Sequence, residues 1–173
     1  MAIMKKLLLA AFMAAFTLSA YSDIESGAYI IASVGYGYVS NGTGYNVTNN
    51  TSYTLGINSG YAFNKYLAVD GSVTFMPNSY QNKTSDYFLT DVAVRGSVPL
   101  GSFVSAYVHL GPGMLFNTNI PANNNQLGLF VGLGGLFQIS HHFGINIEDY
   151  GIYIPGNTNS DVNVLALGAA YAF

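Results

Sequence analysis

The chain has 173 residues, with five Lys plus Arg against eight Asp plus Glu, so only 8% of it is charged and the net charge is -3. That is far below the roughly 25% of an ordinary soluble domain, although half the residues are hydrophobic, 14 of them Tyr and 11 Phe. Such a balance excludes a basic nucleic-acid binder, and zero cysteines exclude a disulfide scaffold, a thiol enzyme, a Cys zinc site or a Cys-anchored lipoprotein.

In chain order, Lys5 and Lys6 precede an apolar run from Leu7 to Phe16, then Thr17 to Ser22, and acids first appear at Asp23 and Glu25. This pattern reads as a secretory signal peptide over residues 1–22, removed after Ser22, with cleavage after Ala20 the near alternative. Residues 23–173 then form one domain with three basic and eight acidic side chains.

From residue 28 onward the chain alternates. Tyr53, Leu55, Ile57, Tyr61 and Phe63 interleave with Thr54, Gly56, Asn58 and Gly60, and Leu67, Val69, Val73 and Phe75 interleave with Ala68, Asp70, Ser72 and Thr74. The same beat runs through Leu127, Leu129, Val131, Leu133, Phe137 and Ile139, and again through Leu165, Leu167, Ala169, Tyr171 and Phe173. Side chains on a strand point to opposite faces in turn, so each segment has one greasy face and one small or polar face. Strands are predicted over about 28–39, 51–63, 66–76, 86–99, 103–116, 126–139, 142–154 and 161–173. Tight turns at Asn64-Lys65, Leu100-Gly101-Ser102 and Ser140-His141 alternate with longer polar loops near 40–50, 77–85, 117–125 and 155–160.

No stretch after residue 22 holds 18 consecutive apolar residues, so no membrane-spanning helix is expected. An even number of long strands joined by alternating short and long connections predicts an all-β fold: an eight-stranded antiparallel up-and-down transmembrane barrel with short periplasmic turns and longer outward loops. Closure is what hydrocarbon demands, because an open edge there would strand backbone N–H and C=O groups. A soluble sandwich or calyx also alternates, but would clothe its polar face in more charge. With no Trp, the aromatic girdles fall to tyrosines such as Tyr36, Tyr38, Tyr53, Tyr61, Tyr87, Tyr153 and Tyr171.

The segment Gly60-Tyr61-Ala62-Phe63-Asn64-Lys65-Tyr66-Leu67-Ala68-Val69-Asp70-Gly71 and the closing Leu167-Gly168-Ala169-Ala170-Tyr171-Ala172-Phe173 resemble the OmpA-like small outer-membrane barrels, which include opacity-type and OmpX-like members. The resemblance implies a location in the cell outer membrane, contact with outer-membrane lipid and lipopolysaccharide, and handling by the outer-membrane insertion machinery. It makes Tyr171 and Phe173 the C-terminal assembly signal, and it allows a host surface ligand on the outward loops. Nothing follows Phe173, so the peptidoglycan-binding domain of full-length OmpA proteins, and wall anchoring with it, is not expected.

Eight strands enclose a space that side chains can fill. On the face opposite the apolar sets stand Asp70, Asp91, Arg95 and His109, joined by Glu148, all roughly three to seven residues from a periplasmic strand end. They predict a belt of charges paired near mid-height, with Arg95 against Asp70 and with Asp91 and Glu148 sharing Arg95 or His109. The belt reads as a structural plug, and as a gated path for small solutes or protons in the rival reading. At residues 148–150 the alternation puts Asp149 on the lipid side, so a β-bulge near Glu148-Asp149 is expected, which would turn Tyr150, Ile152 and Ile154 toward lipid.

Catalytic features are weak. His141 and His142 sit at a turn without a neighbouring Ser and acid, and Ser105 and His109 on one strand are about 13 Å apart, too far for proton transfer. The Gly-x-Gly strings at Gly35 and Gly132 lack a following helix and read as small residues in a crowded lumen rather than phosphate cradles. No enzyme activity, cofactor, metal or nucleic-acid partner is expected. The sequence therefore points to a structural envelope barrel, with a narrow channel and a surface-adhesion barrel as alternatives.

Overall fold

The computed structural model describes residues 26–39, 51–77, 79–80, 83–84, 86–117, 125–154 and 162–173. The expected signal peptide and most of the long loops lie outside these residues. The described elements are strands: β1 (Gly27–Val39), β2 (Thr51–Asn64), β3 (Leu67–Met76), β4 (Ser79–Tyr80), β5 (Lys83–Thr84), β6 (Tyr87–Pro99), β7 (Val104–Asn117), β8 (Gln126–Gln138), β9 (Phe143–Tyr153) and β10 (Val162–Ala172).

Eight of them close into one antiparallel barrel in the order β1-β10-β9-β8-β7-β6-β3-β2, and β4 and β5 form a separate two-stranded hairpin between β3 and β6. The seam that closes the ring is the pairing of the first strand with the last, from Tyr29 opposite Ala172 to Val39 opposite Val162. Closure leaves no exposed edge.

The turns follow from local chemistry. Asn64 accepts hydrogen bonds at its side-chain oxygen from the backbone N–H of Tyr66 (2.8 Å) and Leu67 (3.0 Å), which folds Asn64-Lys65-Tyr66 back on itself. At the β8–β9 turn the backbone N–H of Phe143 donates to Ser140 Oγ. Pro112 sits inside β7 and has no N–H to give; the β6–β7 ladder skips the pairs of Val92 and Ala93 there and resumes in the same register at Val94 opposite Leu110.

The period of two sorts the side chains as it should on a pleated wall. Leu55, Ile57, Val73, Leu110, Leu133, Ile147, Leu165 and Leu167 are exposed on the outer wall. Tyr36, Tyr38, Tyr53 and Tyr153 mark one rim of that wall, and Tyr61, Phe63, Tyr66, Phe103 and Phe143 mark the other. Tyr87 is not one of the girdle: it is half-buried and packs against the interior.

The interior is layered. In the half nearer the long loops, Met76, Leu89, Leu115, Phe130, Tyr150, Ile152, Ile154, Val162 and Val164 form a buried apolar plug. Below it lies a belt of polar and charged side chains, and below that a smaller apolar set of Tyr29, Ile31, Ala62, Ala68 and Ala170.

The expected bulge at Glu148-Asp149 is absent. β9 pairs without a register shift on both sides, Asp149 opposite Leu133 in β8 and opposite Leu165 in β10. Glu148, Tyr150, Ile152 and Ile154 therefore point inward and Asp149 is exposed on the outer wall. The physical reason is the plug. A bulge would have kept one carboxylate off the wall by expelling Tyr150 and Ile152, which are 6% and 2% exposed, from a packed interior.

Candidate functional site

The belt gathers Asp70 from β3, Arg95 from β6, His109 from β7 and Glu148 from β9 across the lumen. Each arrives by the same device, an inward phase on a strand whose neighbouring positions face out. Asp70, Arg95 and His109 are 2%, 4% and 1% exposed, so bulk water does little to screen them.

His109 is the hub. Its Nε2 lies 3.1 Å from Asp70 Oδ2 and its Nδ1 lies 2.9 Å from Glu148 Oε1. Neither N–H is aligned squarely enough on its oxygen for a hydrogen bond. Only the imidazolium presents a proton at both nitrogens, so that form suits two flanking carboxylates. Arg95 approaches Asp70 more distantly, with Nε 3.9 Å from Oδ2, and stacks its guanidinium 4.2 Å from the ring centroid of Tyr29. Counted this way, two cations face two carboxylates and the network is neutral.

Asp91 is not joined to this network by an ion pair. It accepts a hydrogen bond from Ser72 Oγ, one level nearer the plug. Its distance from Arg95 on the same strand follows from the spacing, since four residues carry it about 13 Å along β6.

Uncharged residues complete the belt. Tyr29 donates to Asp70 Oδ2 at 2.6 Å. The Tyr107 hydroxyl lies 2.5 Å from Asn146 Oδ1 and 3.1 Å from Glu148 Oε2. Thr74 and Tyr150 share a hydrogen bond of 2.8 Å just above. A tyrosine suits a membrane interface as well as a lumen, so residue type alone does not place Tyr107; the signal that finds it is its position two residues before His109, on the same face of the same strand.

The remaining candidates stand elsewhere. Ser105 is buried on the inward face of β7, and both nitrogens of His109 are already turned to carboxylates, so neither can serve as a base toward it. His141 and His142 are exposed at the β8–β9 turn. His142 Nδ1 lies 2.9 Å from the carbonyl of Ala172, and its ring stacks on Tyr171. Tyr171 also packs edge-on against Phe143 and Phe173, with centroids 5.0 and 5.1 Å apart, which ties the end of the chain to the start of β9. No group of three or more metal-ligating side chains occurs among the described residues.

Residues 8–173 match the model of the family described as outer membrane protein beta-barrel domain. The chain belongs to that family. Its place is the outer membrane. The fold agrees with that of solved outer-membrane barrels. Neisserial surface protein A superposes with a TM-score of 0.71 at 18% identity, over 86% of this chain and 98% of that one. The attachment invasion locus protein Ail of Yersinia pestis, solved with the heparin analogue sucrose octasulfate, gives 0.60 at 22% identity, over 86% and 100% of the two chains. OprG of Pseudomonas aeruginosa gives 0.60 at 15% identity, over 86% and 97%. No curated protein matches the sequence. In an outer-membrane barrel the end that carries both termini and the tight turns is periplasmic, so the plug occupies the outer half of the lumen and the belt lies beneath it.

Proposed function

We propose that this barrel is an integral structural component of the outer membrane, closed to solute flow and without catalytic activity. The observation that carries this reading is the stacking of two seals in one lumen. The His109-centred network crosses the barrel, and above it Phe130, Ile152, Val162 and Val164, each 1–2% exposed, pack into an apolar plug. A gated path through the charges would still meet this plug, whose side chains apart from the Tyr150 hydroxyl, which Thr74 already engages, are apolar and offer water no strong hydrogen bond. The outer wall is read as the contact with lipid and lipopolysaccharide, and Tyr171 and Phe173 as the segment that the insertion machinery handles.

The alternatives find less support. Catalysis at the belt would need a free base, and His109 spends both nitrogens on Asp70 and Glu148. Adhesion to a polyanion of the kind bound to Ail would need cations on the outward side. After residue 22 the chain has only Lys65, Lys83 and Arg95, of which Lys65 lies at a periplasmic turn and Arg95 in the lumen.

Planar-bilayer recording tests the reading. The expected result is no unitary conductance from the wild type, and none from Arg95→Ala, because the plug remains in place. Discrete current steps from the wild type, altered by Arg95→Ala, would instead establish a channel running through the belt.

A further inference from the structure

Beneath the belt, at the periplasmic end, the lumen opens into a vestibule of about 190 Å³. Small side chains create it: Ala62, Ala170, Ala172 and Gly144 line its sides together with Ile31 and Leu136. By the volume of liquid water this is room for about six water molecules, or one body the size of a benzene ring with a polar head. The roof is Arg95. Its guanidinium lies between the rings of Tyr29 and Tyr107, 4.2 and 5.4 Å from their centroids, and its Nε–H is buried without a hydrogen-bond acceptor. Among the described residues that line the space none is acidic, and the rim carries Gln138, His141 and His142.

We propose that this vestibule binds a small organic monoanion from the periplasm, a carboxylate on a compact apolar body, with the carboxylate at Arg95 and the body against the alanine-rich wall. Three properties fit that class. A guanidinium is the side chain best shaped for a planar carboxylate, and here it is held rigid by the two rings. Asp70 approaches the Nε of Arg95 only to 3.9 Å, so a ligand carboxylate would meet a cation that this acid does not hold at hydrogen-bond distance. Apolar walls strengthen the attraction relative to open water and reward burial of the body. The barrel remains shut above this site, so it would hold its ligand rather than pass it on, and binding is independent of whether the barrel conducts.

The test is ¹⁹F NMR with 4-fluorobenzoate added to the full barrel folded in phospholipid nanodiscs, with empty nanodiscs subtracted. The wild type should broaden the signal saturably. Arg95→Gln should weaken binding at least tenfold, and Ala170→Phe, which fills the vestibule and leaves Arg95 in place, should abolish it. 4-Fluorobenzyl alcohol, with the same ring but no charge, should bind at least tenfold more weakly than the acid. Each variant's closure is checked by its gel migration before and after boiling; if Arg95→Gln does not fold, Ala170→Phe and the alcohol still decide. The inference is overturned by an absence of saturation in the wild type, by undiminished binding in folded Arg95→Gln or in Ala170→Phe, or by equal affinity for acid and alcohol.

Discussion

Gly134 of β8 and Tyr107 of β7 lie face to face, directly opposite in the ladder, and a Cβ on Gly134 would come within 2.4 Å of Tyr107 Cζ and Oη. The ring of Tyr107 occupies the space that a side chain on β8 would need, and from there its hydroxyl reaches Asn146 and Glu148 on β9. The missing side chain is thus what lets a tyrosine cross over a strand to join the belt.

Gly134→Val is therefore expected to destabilise the barrel by about 1–3 kcal/mol, the usual cost of overpacking a filled interior. Gly135→Val is the matched control, because a Cβ there meets nothing nearer than 3.7 Å. Urea titration of the refolded protein in lipid vesicles, read by heat-modifiable gel migration, should show a lower midpoint for the first variant and little change for the second. Equal midpoints would mean that Tyr107 can leave the belt without penalty.

His109 and Glu148 supply a second expectation. Removing one member of a buried ion pair leaves the other uncompensated, at a cost of roughly 3–5 kcal/mol. His109→Gln strands Asp70 and Glu148 together, while Glu148→Gln leaves His109 with Asp70. The double variant His109→Gln/Glu148→Gln should cost less than the sum of the two singles, with a coupling of about 0.5–3 kcal/mol. A double-mutant cycle on urea midpoints checks it. Additive losses would mean that the 2.9 Å contact carries no energy.

Much of this architecture is legible in the sequence, and the exceptions share a cause. Strand positions and barrel closure follow from alternation because on β2, β3 and β8 an apolar outer face is set against small or polar inner residues. Asp70, Arg95, His109 and Glu148 are legible as interior because such groups are costly against lipid. The plug is hidden for the opposite reason. On β9 and β10 the inward residues Tyr150, Ile152, Ile154, Val162 and Val164 are as apolar as outward Ile145, Ile147, Leu165 and Leu167, so a period of two has no contrast to display. Where contrast vanishes, Asp149 alone suggests a phase, and the structure departs from it because register is fixed by two neighbouring strands and a packed interior rather than by one side chain. Tyr29 and Tyr107 were hidden differently: a tyrosine suits a membrane interface and a lumenal hydrogen bond equally well.

Asp149 remains as an acid on the outer wall, six residues along β9 from Phe143 and four before Tyr153, between Leu133 and Leu165. Two observations define its surroundings. A hollow beside it is bordered by Gly151, two residues on, and by exposed Asn163 on β10. With a rise of about 3.3 Å per residue and a tilt near 40°, four residues place the carboxyl roughly 10 Å inside the rim marked by Tyr153. At that depth a carboxyl group next to acyl chains is a net cost, and the cost grows toward the middle of the band. Asp149→Leu should accordingly raise the urea midpoint in lipid vesicles. The gain should be larger in thicker bilayers, where the residue lies deeper, and smallest in short-chain detergent, where water reaches the wall. Vesicles of lipids with 12- and 18-carbon chains make the comparison. An unchanged midpoint in both would show that the carboxyl already lies in water or in a polar contact at that height, and a lowered one would show that the acid contributes to holding the wall together.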